Sequence, residues 1–294
     1  MNGDAIRGEA ASLTIGQMAT LACLLEASAP KPGNVHRGAD FEDLSFYDFQ
    51  TAAVAIGPAM QQAADGGKVG EAVLAAVRAT RQLAATNVNL GIVLLLAPLA
   101  AATSCGGSLR DGVRAVLDLL DADDAAQVYA AIRLAAPGGL GEAGEADVSG
   151  PAPDSLLHAM QLAAERDAIA RQYSNGFADV FDLVVPEMQR GLARGWSTVD
   201  VIIRTHVHVM HHLPDTLIAR KCGLDQAKEA AAWAGSVLAS GEPGDDAYYE
   251  ALADLDFELR SDGHKLNPGA TADLIAAGLF VALHDKILMP PLRF

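Results

Sequence analysis

Apolar residues recur at intervals of three and four positions along almost the whole 294-residue chain. This spacing places them on one face of a helix, whereas a strand alternates every second residue, and no segment sustains that alternation. The chain is therefore predicted to be all-α and to fold as a single bundle-like domain over residues 1–294. The predicted helices cover residues 12–28, 46–64, 70–85, 89–103, 108–120, 123–135, 155–173, 175–194, 198–212, 223–240, 246–260 and 269–286.

One predicted helix is apolar on every side. Residues 90–102, LGIVLLLAPLAAA, follow Asn89 and contain no polar side chain. The run is too short to span a bilayer and Pro98 interrupts it, so we interpret it as a helix buried on all faces. We expect the other helices to pack in layers around it.

Composition narrows the class of protein. Apolar residues make up 51% of the chain and aromatic residues only 5%, a mixture that suits closely packed helices. The formal net charge of −16 argues against a nucleic-acid or anionic-membrane surface, so an anionic ligand would need a local cluster of cations. Three scattered cysteines and the lack of a basic-then-apolar leader indicate a cytoplasmic protein. A homodimer is expected on general grounds alone.

A cluster of cations occurs in residues 29–38, APKPGNVHRG. Lys31, His36 and Arg37 stand there among prolines that exclude a helix. Gly33 gives the backbone freedom to turn. The cations are therefore predicted to project from a fixed loop, which suits a polyphosphate.

Two helix starts carry asparagines and glycines. In NPGATADLIA, Asn267 is the expected N-cap and Gly269 leaves first-turn amides uncovered for an anion, although an ordinary cap is an equal alternative. In NVNLG, Asn87 and Asn89 precede the buried helix. They could hydrogen-bond a ligand, but capping is the commoner use of asparagine.

Acidic and basic side chains adjoin within HHLPDTLIARKCG, residues 211–223. A helix that restarts at Asp215 would put Thr216 and Arg220 on one face, with Lys221 beside them. The carboxylate could hold Mg²⁺ and the cations a phosphate. An N-cap followed by a solvated face is the competing interpretation.

The composition shifts in one place, the Gly- and Pro-rich stretch 136–155. Within it, GGLGEAGEADV offers Glu142, Glu145 and Asp147, oxygen ligands that suit a hard cation such as Mg²⁺. We interpret the stretch as a functional loop rather than a linker, with a plain acidic surface loop as the alternative.

Four histidines lie in THVHVMHHL. His208 and His212 have the i, i+4 spacing of zinc ligands, but the chain has no HExxH pattern. Together with His206 and His211 they are more typical of a helix that lines a pocket than of a metal site.

Several of these segments, taken in order, resemble the triphosphoribosyl-dephospho-CoA synthase family. Glu26 followed by PKPG, and the later NPGATADLIA, are similar to the family's two most specific motifs. The pair Asp215-Thr216 with the following ARKCG, and the loop GGLGEAGEADV, resemble two others. Where the synthases carry Asn-Thr-His-Lys-Gly, this chain has NVNLG, which is typical of a divergent branch.

The resemblance implies an all-α, Mg²⁺-dependent transferase that moves the triphosphoribosyl group of ATP to the 2′-hydroxyl of dephospho-CoA and releases adenine. It implies small-molecule partners, a nucleotide and a cofactor precursor. Glu26 or Glu142 would stabilise positive charge at the sugar, and Asp215 would be a further catalytic carboxylate. The expected Mg²⁺ ligands are Glu145, Asp215 and Asp273. The residues expected to bind substrate or phosphate are Lys31, Gly33, His36, Arg37, Asn87, Asn89, Thr216, Arg220, Lys221, Asn267 and Gly269.

Two other functions remain open at this stage. The same pocket could transfer a pentosyl phosphate from phosphoribosyl diphosphate or ATP to a pterin precursor, as in tetrahydromethanopterin-type cofactor biosynthesis. A helical protein that binds a nucleotide without turnover is the second alternative. The clustered acids and bases count against it, because binding alone does not require carboxylates beside the sugar.

Overall fold

The computed structural model describes residues 12–84, 86–136 and 148–294. In these ranges the chain forms fourteen α-helices and one π-helical segment, and it contains no β-sheet. The all-α prediction is therefore confirmed. The helices are α1 (Ile15–Ser28), α2 (Phe46–Ala64), α3 (Val69–Leu83), α4 (Leu90–Ala102), α5 (Leu109–Asp118), α6 (Ala122–Ala135), α7 (Leu156–Ala163), α8 (Ala168–Asn175), α9 (Val185–Ala193), α10 (Thr198–His212), α11 (Thr216–Cys222), α12 (Leu224–Ser240), α13 (Asp246–Arg260) and α14 (Gly269–His284); the π-helical segment is Val180–Val184.

Two helices form the centre of the molecule. α4 buries every residue except Gly91 and packs against α2, α3, α5 and α14. The predicted central helix is therefore confirmed. α14 is buried to a similar degree, with thirteen of its sixteen residues inaccessible to solvent, and it contacts α1, α4 and α10. Among the described residues, no helix is both long enough and apolar enough to cross a bilayer.

The outer helices begin at side chains that satisfy their free N–H groups. Thr14, Ser45 and Asp121 each form a capping box, in which the cap and the third helical residue exchange hydrogen bonds. These starts agree with the predicted boundaries to within three residues. α10, α11, α12 and α13 bury a second, smaller apolar cluster that includes Met210 and Tyr248.

Two predicted helices are interrupted, which corrects the sequence-based boundaries. The single helix expected over 155–173 is two helices, because Oδ1 of Asp167 accepts hydrogen bonds from the N–H groups of Ile169 and Ala170 and starts α8. The helix expected over 175–194 instead passes through the π-helical segment before it continues as α9.

Helix α10 carries the four histidines, and they do not converge on one point. His206 is fully buried, and its Nε2 lies 3.4 Å from Nδ2 of Asn34. His211 contacts the backbone oxygen of Ala231 at 3.1 Å through Nδ1. Each of these rings is engaged by a different neighbouring element.

His208 and His212 stack on each other, with their ring centroids 4.3 Å apart. Burial lowers the pKa of His208 to about 4, and the positive neighbours His212, Arg190 and Arg204 act in the same direction. His208 is therefore neutral in the folded protein over most of the acidic range.

We predict that replacing His208 by glutamine makes the protein more resistant to acid. His208 takes up a proton near pH 6.5 when the chain is unfolded but only near pH 4 when it is folded. The folded state thus loses stability as the pH falls from 6.5 to 4, by up to roughly 3 kcal/mol. The test is urea unfolding at pH 4.5, which lies about 2 units below the ordinary pKa of histidine. At this pH His208→Gln should retain more of its neutral-pH free energy of unfolding than the wild type.

The matched control is His158→Gln, because His158 is exposed on α7. It should follow the wild-type acid profile. Equal acid losses in His208→Gln and the wild type would show that this histidine does not limit acid stability.

Candidate active site

A cavity of about 1080 Å³ lies between the central helices and the interrupted outer helices. Glu26 on α1 and Asp273 on α14 border one part of it, which we call the carboxylate wall. Helices α4, α6 and α7 contribute apolar side chains, among them Leu94, Ile132 and Met160. The cavity therefore offers both charged and apolar surface to one ligand.

The structure brings together most of the residues that the sequence singled out. Nine of them line the cavity: Glu26, Asn87, Asn89, Thr216, Arg220, Lys221, Asn267, Gly269 and Asp273. Five other predicted site residues are described by the structure but do not line the cavity: Lys31, Gly33, His36, Arg37 and Asp215. Glu142, Glu145 and Asp147 lie outside the described residues.

Lys31 has a different place from the one expected. Its side chain is fully buried, its Nζ lies 2.8 Å from Oε1 of Glu26, and it also donates to the backbone oxygens of Glu26 and Ala29. The loop turns the lysine inward beneath the last carbonyls of α1, so the ammonium does not face a phosphate in the cavity. Lys31 instead holds the Glu26 carboxylate at the cavity wall, which corrects its predicted role.

The rest of the predicted phosphate loop packs as a structural turn. Gly33 adopts φ +74°, a Cβ there would collide with neighbouring side chains, and its N–H lies 2.7 Å from Oδ1 of Asp256. Nδ1 of His36 accepts from the N–H of Gly38, and burial lowers the pKa of His36. Arg37 is exposed. The cations of this loop therefore do not converge on the cavity, contrary to expectation.

Asp215 joins two helices. Its Oδ1 accepts from the N–H groups of Leu217 and Ile218 at 2.8 and 3.1 Å, which caps α11. Its Oδ2 accepts from the N–H and the hydroxyl of Thr271 at 2.7 and 2.8 Å. Burial raises the pKa of Asp215, although these hydrogen bonds oppose the shift. With about four acceptor positions on a carboxylate all engaged, none remains for a metal or a sugar, so Asp215 is a structural cap.

Asn267 is not the N-cap of α14, because the helix begins at Gly269 after Pro268. Nδ2 of Asn267 instead donates to the backbone oxygen of Gly33 at 2.9 Å and to Oδ1 of Asn34 at 3.1 Å. The side chain thus ties the start of α14 to the loop that carries Lys31.

The first turn of α14 is already occupied by an anion of the protein itself. The N–H of Thr271 binds Asp215, so the place predicted for a ligand anion holds a carboxylate. A Cβ at Gly269 would meet the end of the Leu217 side chain of α11, so this leucine would have to shift to admit a larger residue.

The two asparagines before α4 are used for hydrogen bonds within the fold. Oδ1 of Asn87 accepts from the N–H of Leu90 at 3.1 Å, and Nδ2 of Asn89 donates to the hydroxyl of Thr80 at 3.2 Å. The capping alternative is therefore confirmed for Asn87. Both residues also border the cavity, so a contact with a ligand stays a prediction.

Asp273 packs directly on the backbone of α4. A Cβ at Gly91 would overlap the carboxylate of Asp273, so this position accepts only glycine without a shift of the acid. Burial raises the pKa of Asp273 well above its ordinary value, and the negative charges of Glu26, Asp215 and Asp167 add to the effect. The carboxylate wall therefore favours either a proton or a cation.

A second part of the cavity carries positive charge, and we call it the cation wall: Arg166, Arg171, Arg220 and Lys221. Arg220 lies 3.5 Å from Oδ2 of Asp167, and Nζ of Lys221 donates to the backbone oxygen of His264 at 3.1 Å. Burial, and then the neighbouring Arg220, lower the pKa of Lys221. Thr216 accepts from the N–H of Ala168 through its hydroxyl, which links α11 to α8.

Sequence reasoning missed Arg166, Asp167 and Arg171, because a continuous helix over 155–173 offers no helix start there at which polar groups would gather. The run ERD at 165–167 contained the missed signal. An aspartate in mid-helix is a strong N-cap candidate and would have indicated the break.

None of the four histidines of α10 lines this cavity, so the expectation of a pocket-lining histidine helix is wrong here. Across residues 12–84, 86–136 and 148–294, no group of three His, Cys, Asp or Glu side chains is placed to hold a metal ion.

Comparison with known sequences decides the family. The sequence profile of the ATP:dephospho-CoA triphosphoribosyl transferases matches residues 12–290, almost the whole chain. The chain belongs to this family.

Individual relatives agree with the family of triphosphoribosyl transferases. A 2-(5''-triphosphoribosyl)-3'-dephosphocoenzyme-A synthase of Klebsiella pneumoniae is 32% identical over 106 residues, 36% of this chain and 37% of that protein. A protein of Pseudomonas syringae pv. tomato described as a probable synthase of the same name is 30% identical over 122 residues, 42% of this chain and 41% of its own length. These alignments thus span only about two fifths of the curated relatives.

A solved structure has a fold similar to that of this chain. A crystal structure from Archaeoglobus fulgidus, provisionally described as a triphosphoribosyl-dephospho-CoA synthase, is similar to this chain with a TM-score of 0.61. The sequence identity is 26%, and the match covers 79% of this chain and 96% of that one.

We predict that Lys31→Met destabilises this transferase family member strongly. The substitution leaves the Glu26 carboxylate buried without its partner, which should lower the free energy of unfolding by about 3 to 5 kcal/mol. Adding Glu26→Gln to Lys31→Met removes the unpaired charge and should recover part of that loss. Urea unfolding of both variants measures the difference.

Lys228→Met is the matched control, because Lys228 is exposed on α12. It should change stability by less than about 0.5 kcal/mol. A Lys31→Met variant as stable as this control would contradict a structural role for the buried ion pair.

Proposed function

We propose that the protein transfers the triphosphoribosyl group of ATP to the 2′-hydroxyl of dephospho-CoA, with release of adenine. One observation carries the proposal: a single cavity combines Glu26 and Asp273 with the four cations of the cation wall. Carboxylates beside a sugar and cations beside phosphates are what this transfer requires. The family description supports the same substrates.

The proposed reaction replaces one bond at C1′ of the ATP ribose by another. The acceptor hydroxyl oxygen bonds to C1′, the bond from C1′ to the adenine nitrogen breaks, and its electron pair leaves with adenine. The acceptor loses its hydroxyl proton and the departing base gains one. Positive charge develops at C1′ on the way, as in glycoside hydrolysis.

Glu26 is the group we assign to that positive charge. It borders the cavity, and its ion pair with Lys31 holds the carboxylate in one position. A fixed carboxylate stabilises a developing cation without having to reorganise during the reaction. Arg220 and Lys221 are assigned to phosphates, and Asn87 and Asn89 to the ribose or the base.

Magnesium fits this cavity as an ion that enters with the phosphates of ATP. Mg²⁺ commonly binds one or two carboxylates together with substrate phosphates. Asp273 would hold it, because this acid faces the cavity and lies among negative charges that a cation would offset. The ion would supply neutralisation of phosphate charge. Asp215 is left out, since its acceptor positions are engaged within the fold.

The names of the relatives favour this activity over a pentosyl-phosphate transfer to a pterin precursor and over nucleotide binding without turnover. A homodimer remains a prediction.

We predict that the purified protein, incubated with ATP, Mg²⁺ and dephospho-CoA, releases adenine and forms a triphosphoribosylated product. Mass spectrometry detects both. Glu26→Asp keeps a negative charge for Lys31 but withdraws the carboxylate by one methylene, and turnover should fall by roughly 100-fold. Glu26→Gln should lower turnover at least as much.

Glu250→Gln serves as the matched control, since Glu250 is exposed on α13 and should leave turnover unchanged. Absence of both products with folded protein would overturn the proposed activity. Full turnover in Glu26→Asp would instead remove Glu26 from its assigned role.

A further inference from the structure

The cation wall contains an arginine nitrogen that no group among the described residues accepts from. Nε of Arg171 lies 2.7 Å from Oδ2 of Asp179, which also accepts from Nε2 of Gln172 at 2.6 Å. These contacts fix the guanidinium at the border of the cavity. Nη2 of Arg171 is buried, and it has no acceptor in the described part of the chain. Because a buried donor without an acceptor is unfavourable, a ligand acceptor would complete this group.

The neighbouring helix start does not explain the site by itself. The N–H of Ala168 binds the hydroxyl of Thr216, and those of Ile169 and Ala170 bind Oδ1 of Asp167. The first amides of α8 are therefore already engaged within the fold. An anion at this wall would have to be bound by arginine side chains.

Two further arginines flank Arg171. Asp167 stands four residues before it, one helical turn away, and Oδ2 of Asp167 lies 3.5 Å from Arg220 of α11. Arg220 and Arg171 thus both lie near Asp167. Arg166 is exposed and also borders the cavity. Three arginines therefore border the same cavity, beside the acidic residues Glu165 and Asp167, in a chain with a net charge of −16.

We propose that Arg171 is the principal anchor for a polyphosphate chain in this cavity, with Arg166 and Arg220 as flanking contacts. A guanidinium presents parallel N–H groups that match phosphate oxygens, and hydrogen bonds between charged groups are the strong ones. Asp179 engages Nε, and no described group accepts from Nη2 of Arg171, which borders the cavity. The identity of the polyphosphate as the triphosphate of ATP rests on the proposed function, whereas the anion site itself does not.

The test measures binding of inorganic tripolyphosphate to the full chain by calorimetry, in buffer without divalent metal. The wild type should bind it, and tripolyphosphate should compete with ATP. Arg171→Met should raise the Kd at least tenfold, and Arg171→Lys, which keeps the charge but not the fork, should raise it less. Arg166→Met should raise it by roughly threefold to tenfold.

The matched control is Arg78→Met, because Arg78 is exposed on α3 and does not line the cavity. Its Kd should stay within about twofold of the wild type. If Arg171→Met fails to fold, Arg171→Lys and Arg166→Met decide the question. A wild type that does not bind tripolyphosphate, or folded variants that all bind it as tightly as the control, would overturn the inference.

The outcomes separate this inference from the proposed function. Tripolyphosphate binding that depends on Arg171, in a protein that releases no adenine from ATP, would support the anion site and remove the transferase reaction. Triphosphoribosyl transfer with no effect of Arg171 on tripolyphosphate binding would keep the reaction and overturn the anchor.

Discussion

The buried carboxylate of Asp215 is the contact on which the geometry of the cavity depends. One of its oxygens caps α11 and the other binds the first turn of α14. Arg220 and Lys221 lie on α11, and Asp273 lies on α14, so one side chain relates the cation wall to the carboxylate wall. Burying an acid is unfavourable, but here it accepts from the N–H groups of two helix starts, where the helix dipoles favour negative charge.

The carboxylate wall is assembled from opposite ends of the chain. Glu26 belongs to the first helix, whereas Asp273 belongs to the last, and Asn267 joins the early loop to the start of that last helix. Helix α4 lies between them and contributes apolar side chains as well as the bare backbone at Gly91. The outer helices contribute the arginines. Each ligand-facing group is thus carried by a helix or a helix end, which limits its movement once the core has packed.

Periodicity was sufficient to predict the fold class and most helix boundaries, because burial of apolar faces dominates the packing of α4 and α14. Nine residues of the cavity were identified by other means, from polar motifs at helix ends and from the family resemblance. The predictions failed on the direction in which individual side chains point. Lys31 points inward to Glu26, and Asp215 accepts hydrogen bonds from backbone N–H groups. A buried charge is stabilised most readily by polar groups of the fold itself.

Arg171 is a residue of the cavity that the sequence patterns did not predict. Its position follows from the local helix start at Asp167 and from an ion pair with Asp179, and the apolar period alone reports neither. A sequence pattern can report which face of a helix is apolar. It does not report which donors lack an acceptor after folding, as Nη2 of Arg171 does among the described residues.

The complete burial of Lys31 also bears on how the protein acquires its activity. The ammonium and the Glu26 carboxylate lose their water only when the loop after α1 has closed, and that loop is joined to α14 through Asn267. A chain whose first and last helices have not yet met would therefore lack an ordered Glu26 carboxylate at the cavity wall. The proposed activity would then arise only together with the native core, so that specific activity would report correct folding.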